Sequence, residues 1–298
     1  MNLLITGAWS EAKKNISALE KLGHKVEFLQ YEKDKLPCSH KWVEGVICNG
    51  LFLHHQIEQF SDLKYIQLTS MGFDRVPMQY VLDNNIAIHN AKGVYSVPMA
   101  EYTVAMILNL YKRIPFFADN QKKCQWEKSR DLLELNQKKV CIVGCGNVGT
   151  ECAKRFQAFG CKVIGVDICL RKDPYYDQMV KIEQLDEILT ISDIIVLTLP
   201  LTAETKHLMD NNKFEVLKKG AILVNISRGG IIDTDALKRN IDNLSGVILD
   251  VFETEPLKAN DALWNIDKVI ITPHNSFVGE YNAERLEKVI FDNLKMVK

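Results

Sequence analysis

The chain has 298 residues, 47% of them apolar, enough for about two ordinary cores and too apolar for a disordered protein. Thirty-seven basic residues against 38 acidic ones leave a net charge of -1, so no global field draws the chain to nucleic acid or an anionic membrane. No apolar stretch approaches the ~18 residues of a membrane span, and MNLLITGAWS has no basic start and turns polar too early for a secretory signal, so a cytoplasmic location and small-molecule or protein partners are expected.

In chain order, NLLIT reads as a first strand, followed by a helix over 10–22 that Gly23 closes. KVEFL, GVICN, KYIQL and IAIHN continue as strands. A long apolar-striped helix is expected over 97–118, with Pro98 tolerated in its first turn. A second strand series then runs KVCIV, VIGVD, DIIVL, AILVN, GVILD and KVIIT, with a helix over 148–159 before Gly160. Strands alternating with helices mean an α/β fold with two doubly wound parallel sheets. The stretch 278–298 reads as one amphipathic helix, too short to be a domain and expected to pack back on one of the sheets. None of the eight cysteines forms a C-x2-C pair or lies near a histidine cluster, which points to reduced core thiols and no metal site; Cys145, inside a glycine loop, has a redox-sensitive reading as its alternative.

KKVCIVGCGNVG sets Gly144, Gly146 and Gly149 in G-x-G-x-x-G spacing, directly after a strand and at the start of a helix. The first glycine permits a tight turn, the second lets backbone approach a pyrophosphate, and the third lets helix pack on strand, while the helix N-terminus offers amide donors. Asp167 ends the next strand, near the offset at which a carboxylate accepts from ribose hydroxyls. That charge repels a 2'-phosphate and favours NAD(H) over NADP(H), with Arg171 and Lys172 close by as a counterweight.

Three further groups stand beyond strand ends, where an open α/β sheet places its ligand. Arg228 follows AILVN, Asp250 and Glu255 follow or end GVILD in DVFETEP, and His274 follows KVIIT. Taken singly, a surface ion pair, a solvated loop acid and a polar turn residue describe them equally well. Together, a cation, a carboxylate and an imidazole on one face of a dinucleotide sheet make an acid-base constellation.

At these residues the sequence resembles the D-2-hydroxyacid dehydrogenase family, which includes glyoxylate/hydroxypyruvate reductases, D-lactate dehydrogenases and 3-phosphoglycerate dehydrogenases. The likeness covers nearly the whole chain through SMGFDRV, NAKGVYSVPMAEYTVA, the glycine loop, LPLTAETKHLM, NISRGGIID, DVFETEP and TPH. It implies an NAD-dependent enzyme that moves a hydride between nicotinamide and a small 2-hydroxy or 2-keto acid. It makes Arg228 the substrate anchor, His274 the general acid-base and Glu255 the group that orients it. Reduction needs an imidazolium as hydride arrives, and a neighbouring carboxylate favours the charged ring. Arginine can fork onto carboxylate or carbonyl oxygens as lysine cannot.

The resemblance further assigns Met71 and Gly72 to the substrate carboxylate, Asp250 to the nicotinamide carboxamide, and Asn147, Val148, Pro200 and Thr205 to the cofactor site. It implies a discontinuous substrate lobe, residues 1–92 and 277–298, closing over an NAD-binding Rossmann domain, residues 93–276, and a homodimer formed by the long helix and following arm. The loop ICNGLFLHH departs from the phosphoglycerate enzymes, whose arginine faces the phosphate there; Leu51 and Phe52 carry no charge, leaving His54 or His55. TPHNSF replaces the usual glycine-containing run, so Asn275 and Phe277 are expected to reshape the substrate end. Glu255 argues against a formate-type enzyme, which lacks that glutamate. The alternatives are phosphoglycerate dehydrogenase-type activity and an NAD(H)-sensing interaction protein on the same fold.

Overall fold

A computed structural model describes residues 1–296. The described chain forms two compact units, Met1–Tyr95 together with the segment from Gly279 onward, and Ser96–Val278. The expected change-overs were 92/93 and 276/277. The last two residues of the helix expected over 278–298 lie outside the described residues.

The first unit holds β1 (Asn2–Thr6), β2 (Lys25–Leu29), β3 (Gly45–Cys48), β4 (Tyr65–Leu68) and β5 (Ala87–His89), all parallel in the order β2-β1-β3-β4-β5. Burial on both faces explains why the inner strands β1 and β3 read as apolar runs, while the edge strands β2 and β5 are only partly buried. In β1, Leu4 faces one core with Val46, Ile66 and Phe60. Leu3 and Ile5 face the other, with Trp9 and Ile47. Helix α1 (Ala12–Lys21) follows β1, and the chain leaves it through Gly23 at φ +87. The C-terminal helix Asn282–Met296 buries Leu286, Ile290 and Leu294, a four-residue spacing on one face, against the second core. Each fully buried leucine or isoleucine contributes about 1.5–3 kcal/mol.

The second unit carries seven parallel strands: β6 (Lys139–Val143), β7 (Lys162–Asp167), β8 (Gln178–Lys181), β9 (Ile194–Leu197), β10 (Ile222–Asn225), β11 (Gly246–Leu249) and β12 (Val269–Ile271). Their order is β12-β11-β10-β9-β6-β7-β8, so the winding direction reverses between β6 and β9. That reversal opens a crevice at the carboxyl ends of the strands. Helix α5 (Asn147–Ala158) covers one face through Cys152, Ala153 and Phe156.

The helix expected over 97–118 is two helices, α3 (Ser96–Tyr111) and α4 (Ile114–Lys122). Pro115 has no N–H to give to the Tyr111 carbonyl, which accepts instead from Leu133 N at 3.0 Å, while Arg113 turns left-handed at φ 50. All eight thiols are free. Five of them are buried, whereas Cys124 and Cys169 are exposed rather than in the core. Cys145 is fully buried, and burial pushes its thiol up to about 11, which removes the thiolate that redox sensing needs. Among the described residues no helix is long and apolar enough to cross a membrane.

Candidate active site

Strand order decides which candidates meet. Along the carboxyl edge of the seven-stranded sheet, His274 follows β12, Asp250 and Glu255 follow β11, and Arg228 follows β10. Pro200 follows β9, the glycine loop follows β6, and Asp167 closes β7. Residues spread over 130 positions of sequence thus line one edge, with the winding reversal between Pro200 and the glycine loop.

In the glycine loop, Gly144 adopts φ +92, and a β-carbon there would lie 2.8 Å from the Leu199 backbone. At Gly146 a β-carbon would meet nothing within 4 Å, so the surface before α5 is open. Gly146 is also the N-cap of α5 and supplies no side-chain cap, which leaves the first amides of Asn147 and Val148 to an anion. Asp167 accepts from Cys145 N at 2.7 Å and Cys169 N at 2.9 Å, one bond per oxygen, with lone pairs remaining on each. Arg171 is engaged by the Thr150 hydroxyl at 2.7 Å and by Asp173 at 3.2 Å. Thr205 closes its own turn by donating to the Pro200 carbonyl at 2.7 Å. An open cradle, an uncapped helix start and a carboxylate at the next strand end fit a dinucleotide whose ribose carries free hydroxyls.

Glu255 and His274 are in direct contact, Oε2 to Nδ1 at 2.9 Å. The other carboxylate oxygen accepts from Phe252 N at 3.0 Å, which fixes the plane of the group. With Nδ1 facing an acceptor, that nitrogen carries the hydrogen and Nε2 is left for substrate. The imidazole is about two-fifths exposed, 39%, so a small molecule can reach it. Phe277 meets the His274 ring edge-on, with centroids 6.1 Å apart.

Arg228 is brought beside the same loop by its neighbour. A β-carbon on Gly229 would lie 1.8 Å from the carbonyl carbon of Phe252 and 2.3 Å from Glu253 N, so only glycine lets the two loops touch backbone to backbone. Asn225 Nδ2 donates to the Arg228 carbonyl at 2.9 Å, and the Arg228 guanidinium donates to the Ser227 carbonyl at 2.8 Å.

Asp250 is fully buried, and its carboxylate accepts from Thr272 Oγ1, Asn275 N and Ser276 N at 2.5, 2.7 and 2.9 Å. The sequence assigned it to a cofactor amide alone; the structure adds a hold on the histidine loop. Thr272 is met in turn by Tyr102 at 2.6 Å, a residue that had no assigned role. No local pattern signals that pair, because 170 residues separate its members.

In the first unit, Met71 and Gly72 follow β4 in a loop pinned by Asn90 Nδ2 on the Met71 carbonyl at 2.8 Å. Among the described residues, neither of their amides donates to another group. Leu51 is fully buried in the first core, whereas Phe52 is partly buried and packs edge-on against Phe60 with centroids 5.9 Å apart. His55 Nε2 contacts the Glu32 carbonyl at 2.9 Å. The Cδ of the exposed Arg75 passes 3.8 Å from the place of a Gly50 β-carbon, and a Glu32 carboxylate oxygen lies nearer, at 3.5 Å, where it accepts from Gly50 N.

Comparison with known proteins gives the family and the fold. The family model for D-isomer specific 2-hydroxyacid dehydrogenase, NAD binding domain, matches residues 104–276. A glyoxylate reductase of Thermofilum pendens is 33% identical over 241 residues, covering 78% of this chain and 71% of the relative. A D-3-phosphoglycerate dehydrogenase of Methanocaldococcus jannaschii is 31% identical over 245 residues, 81% of this chain but 47% of its own length, so the chain spans about half of that relative. Among solved structures, D-lactate dehydrogenase from Aquifex aeolicus, complexed with NAD and lactic acid, superposes with a TM-score of 0.82 at 30% identity over 99% of this chain and 94% of that one.

Proposed function

The chain belongs to the D-isomer specific 2-hydroxyacid dehydrogenase family, and from that premise we propose that it is an NAD(H)-dependent oxidoreductase of small 2-keto and 2-hydroxy acids, running mainly as a reductase. The observation that carries this reading is the Glu255–His274 contact on the edge of a dinucleotide-type sheet, with the loop that bears Arg228 packed at Gly229 against Phe252 and Glu253. When bound, NADH would supply the hydride. His274 holds a proton at Nε2 and hands it to the carbonyl oxygen as negative charge develops there. Glu255 steadies the imidazolium from Nδ1, and Arg228 anchors the substrate carboxylate and polarises its carbonyl.

The amides of Met71 and Gly72 take the role of gripping the carboxylate, in keeping with their lack of other acceptors. Asp167 reads the ribose hydroxyls, Gly144 to Gly149 with Asn147 and Val148 hold the pyrophosphate, and Pro200, Thr205 and Asp250 complete the cofactor contacts. A homodimer is part of the same proposal, by likeness alone.

Glyoxylate and hydroxypyruvate lead the substrate list. The second reading is a 2-keto acid with a distal anion, of the phosphoglycerate type; the exposed Arg75 near the Gly50 loop favours it, and the Glu32 carboxylate that accepts from Gly50 N in that loop counts against it. NADH and NADPH oxidation at 340 nm across glyoxylate, hydroxypyruvate, pyruvate and phosphohydroxypyruvate tests both. NADH-linked turnover of the first two is the expected result. Turnover of phosphohydroxypyruvate alone selects the second reading, and tight NADH binding without turnover of any acid removes both in favour of a nucleotide-sensing protein.

A further inference from the structure

His274 occupies left-handed backbone at φ 51. That conformation is unfavourable for a residue with a β-carbon and persists where its surroundings fix it. Asp250 fixes it here. Its carbonyl accepts from the His274 amide at 2.8 Å, and its carboxylate takes the next two amides, Asn275 and Ser276. One buried residue therefore holds three consecutive N–H groups around the imidazole.

The carboxylate has a further donor, Thr272 Oγ1 at 2.5 Å. A threonine hydroxyl has one proton, and that proton goes to Asp250, so in the 2.6 Å contact with Tyr102 the phenol is the donor. Burial pushes the Tyr102 phenol up, which keeps it a donor through the ordinary pH range. The hydrogen bonds run one way, from Tyr102 in α3 through Thr272 to Asp250, and each polarises the next.

We propose that Tyr102 and Thr272 are positioning residues for proton transfer: their directed hydroxyl chain sets the Asp250 carboxylate that shapes the His274 turn and aims the imidazole at Glu255. This rests on the reading of His274 as proton donor. The plainer account is that two buried hydroxyls satisfy one another and add stability alone. The two accounts differ in whether the effect passes through His274.

The test is steady-state kinetics with NADH and whichever acid of the panel has the highest kcat/KM, for Tyr102→Phe, Thr272→Val and Thr272→Ser, each in wild-type and His274→Ala backgrounds. Tyr102→Phe and Thr272→Val are expected to lower kcat about three- to ten-fold, the size of one hydrogen bond. Thr272→Ser should restore kcat, and none of the changes should reduce the residual rate of His274→Ala. Equal losses in both backgrounds, or full kcat in both hydroxyl-deleted variants, overturn the proposal. Amide hydrogen exchange at residues 274–276 supplies a readout without turnover: faster exchange in Tyr102→Phe is expected, and unchanged exchange overturns the chain. Phenylalanine keeps the ring, so this variant decides the matter even if Thr272→Val does not fold. Full activity of His274→Ala alone would instead remove the acid-base reading on which the proposal builds, while the exchange experiment still reports on the turn.

Discussion

The second unit contains two imidazole–carboxylate pairs of nearly the same make. His274 meets Glu255 at 2.9 Å, and His207 meets Glu253 at 2.6 Å. Both histidines are left-handed, at φ 51 and 53, and both rings are about two-fifths exposed. Their surroundings separate them. Glu253 spends its second oxygen on Thr234 N, at the start of helix α8 (Thr234–Asn240), and the His207 amide binds the Gly230 carbonyl, so that pair ties loops to a helix end. The His274 pair is instead framed by the Asp250 network, whereas the loop of Arg228, Gly229 and Gly230 borders the His207 pair as well. A histidine beside a glutamate is therefore no signature of chemistry; the neighbours decide what it can do.

That contrast sets the expected effects, beginning with the largest. His274→Ala should lower kcat about 10²–10⁴-fold, whereas His207→Ala should leave kcat within a few-fold; steady-state rates on both variants check this, and equal losses would erase the distinction. Arg228→Ala should lower kcat/KM roughly 10²-fold, through higher KM and lower kcat together, because it holds ground and transition states alike. Asp167→Ala should narrow the preference for NADH over NADPH, about ten-fold in the ratio of kcat/KM, since it removes one repelling charge; an unchanged ratio would take Asp167 out of the ribose site.

The smallest effect concerns pH. Burial alone would raise Glu253, but the bonds from Thr234 and the contact with His207 outweigh it and hold the carboxyl below its ordinary value of 4.5. A depressed carboxyl contributes stability that is present above 4.5 and lost as pH falls through its folded value. Glu253→Gln should therefore lower the melting temperature slightly near neutral pH, where that stability is present, and converge with wild type at low pH, which flattens the acid limb; identical melting at neutral pH would contradict it.

Much of this was legible in the sequence. The glycine loop, Asp167, Arg228, Glu255 and His274 each follow a strand with a strong apolar run, so local pattern placed them at strand ends and a parallel sheet aligned those ends. Edge strand β8 was not legible, because QMVK buries one residue fully and looks like a loop. The break between α3 and α4 was written in Pro115 but hidden by the apolar stripe running through it. Leu51 illustrates a deeper limit: an apolar residue in a loop can face core or ligand, and sequence does not tell which. Tyr102 and Thr272 show the same for polar groups, since their pairing comes from tertiary packing alone.

The most direct test of the central claim is analysis of the product. Hydroxypyruvate or pyruvate, whichever turns over faster with NADH, would be incubated with wild type, His274→Ala and His207→Ala, and the 2-hydroxy acid quantified by chiral chromatography; glyoxylate is left out because glycolate has no stereocentre. The account predicts the D isomer from wild type and His207→Ala and almost none from His274→Ala; undiminished product from His274→Ala, or the L isomer from wild type, would contradict it.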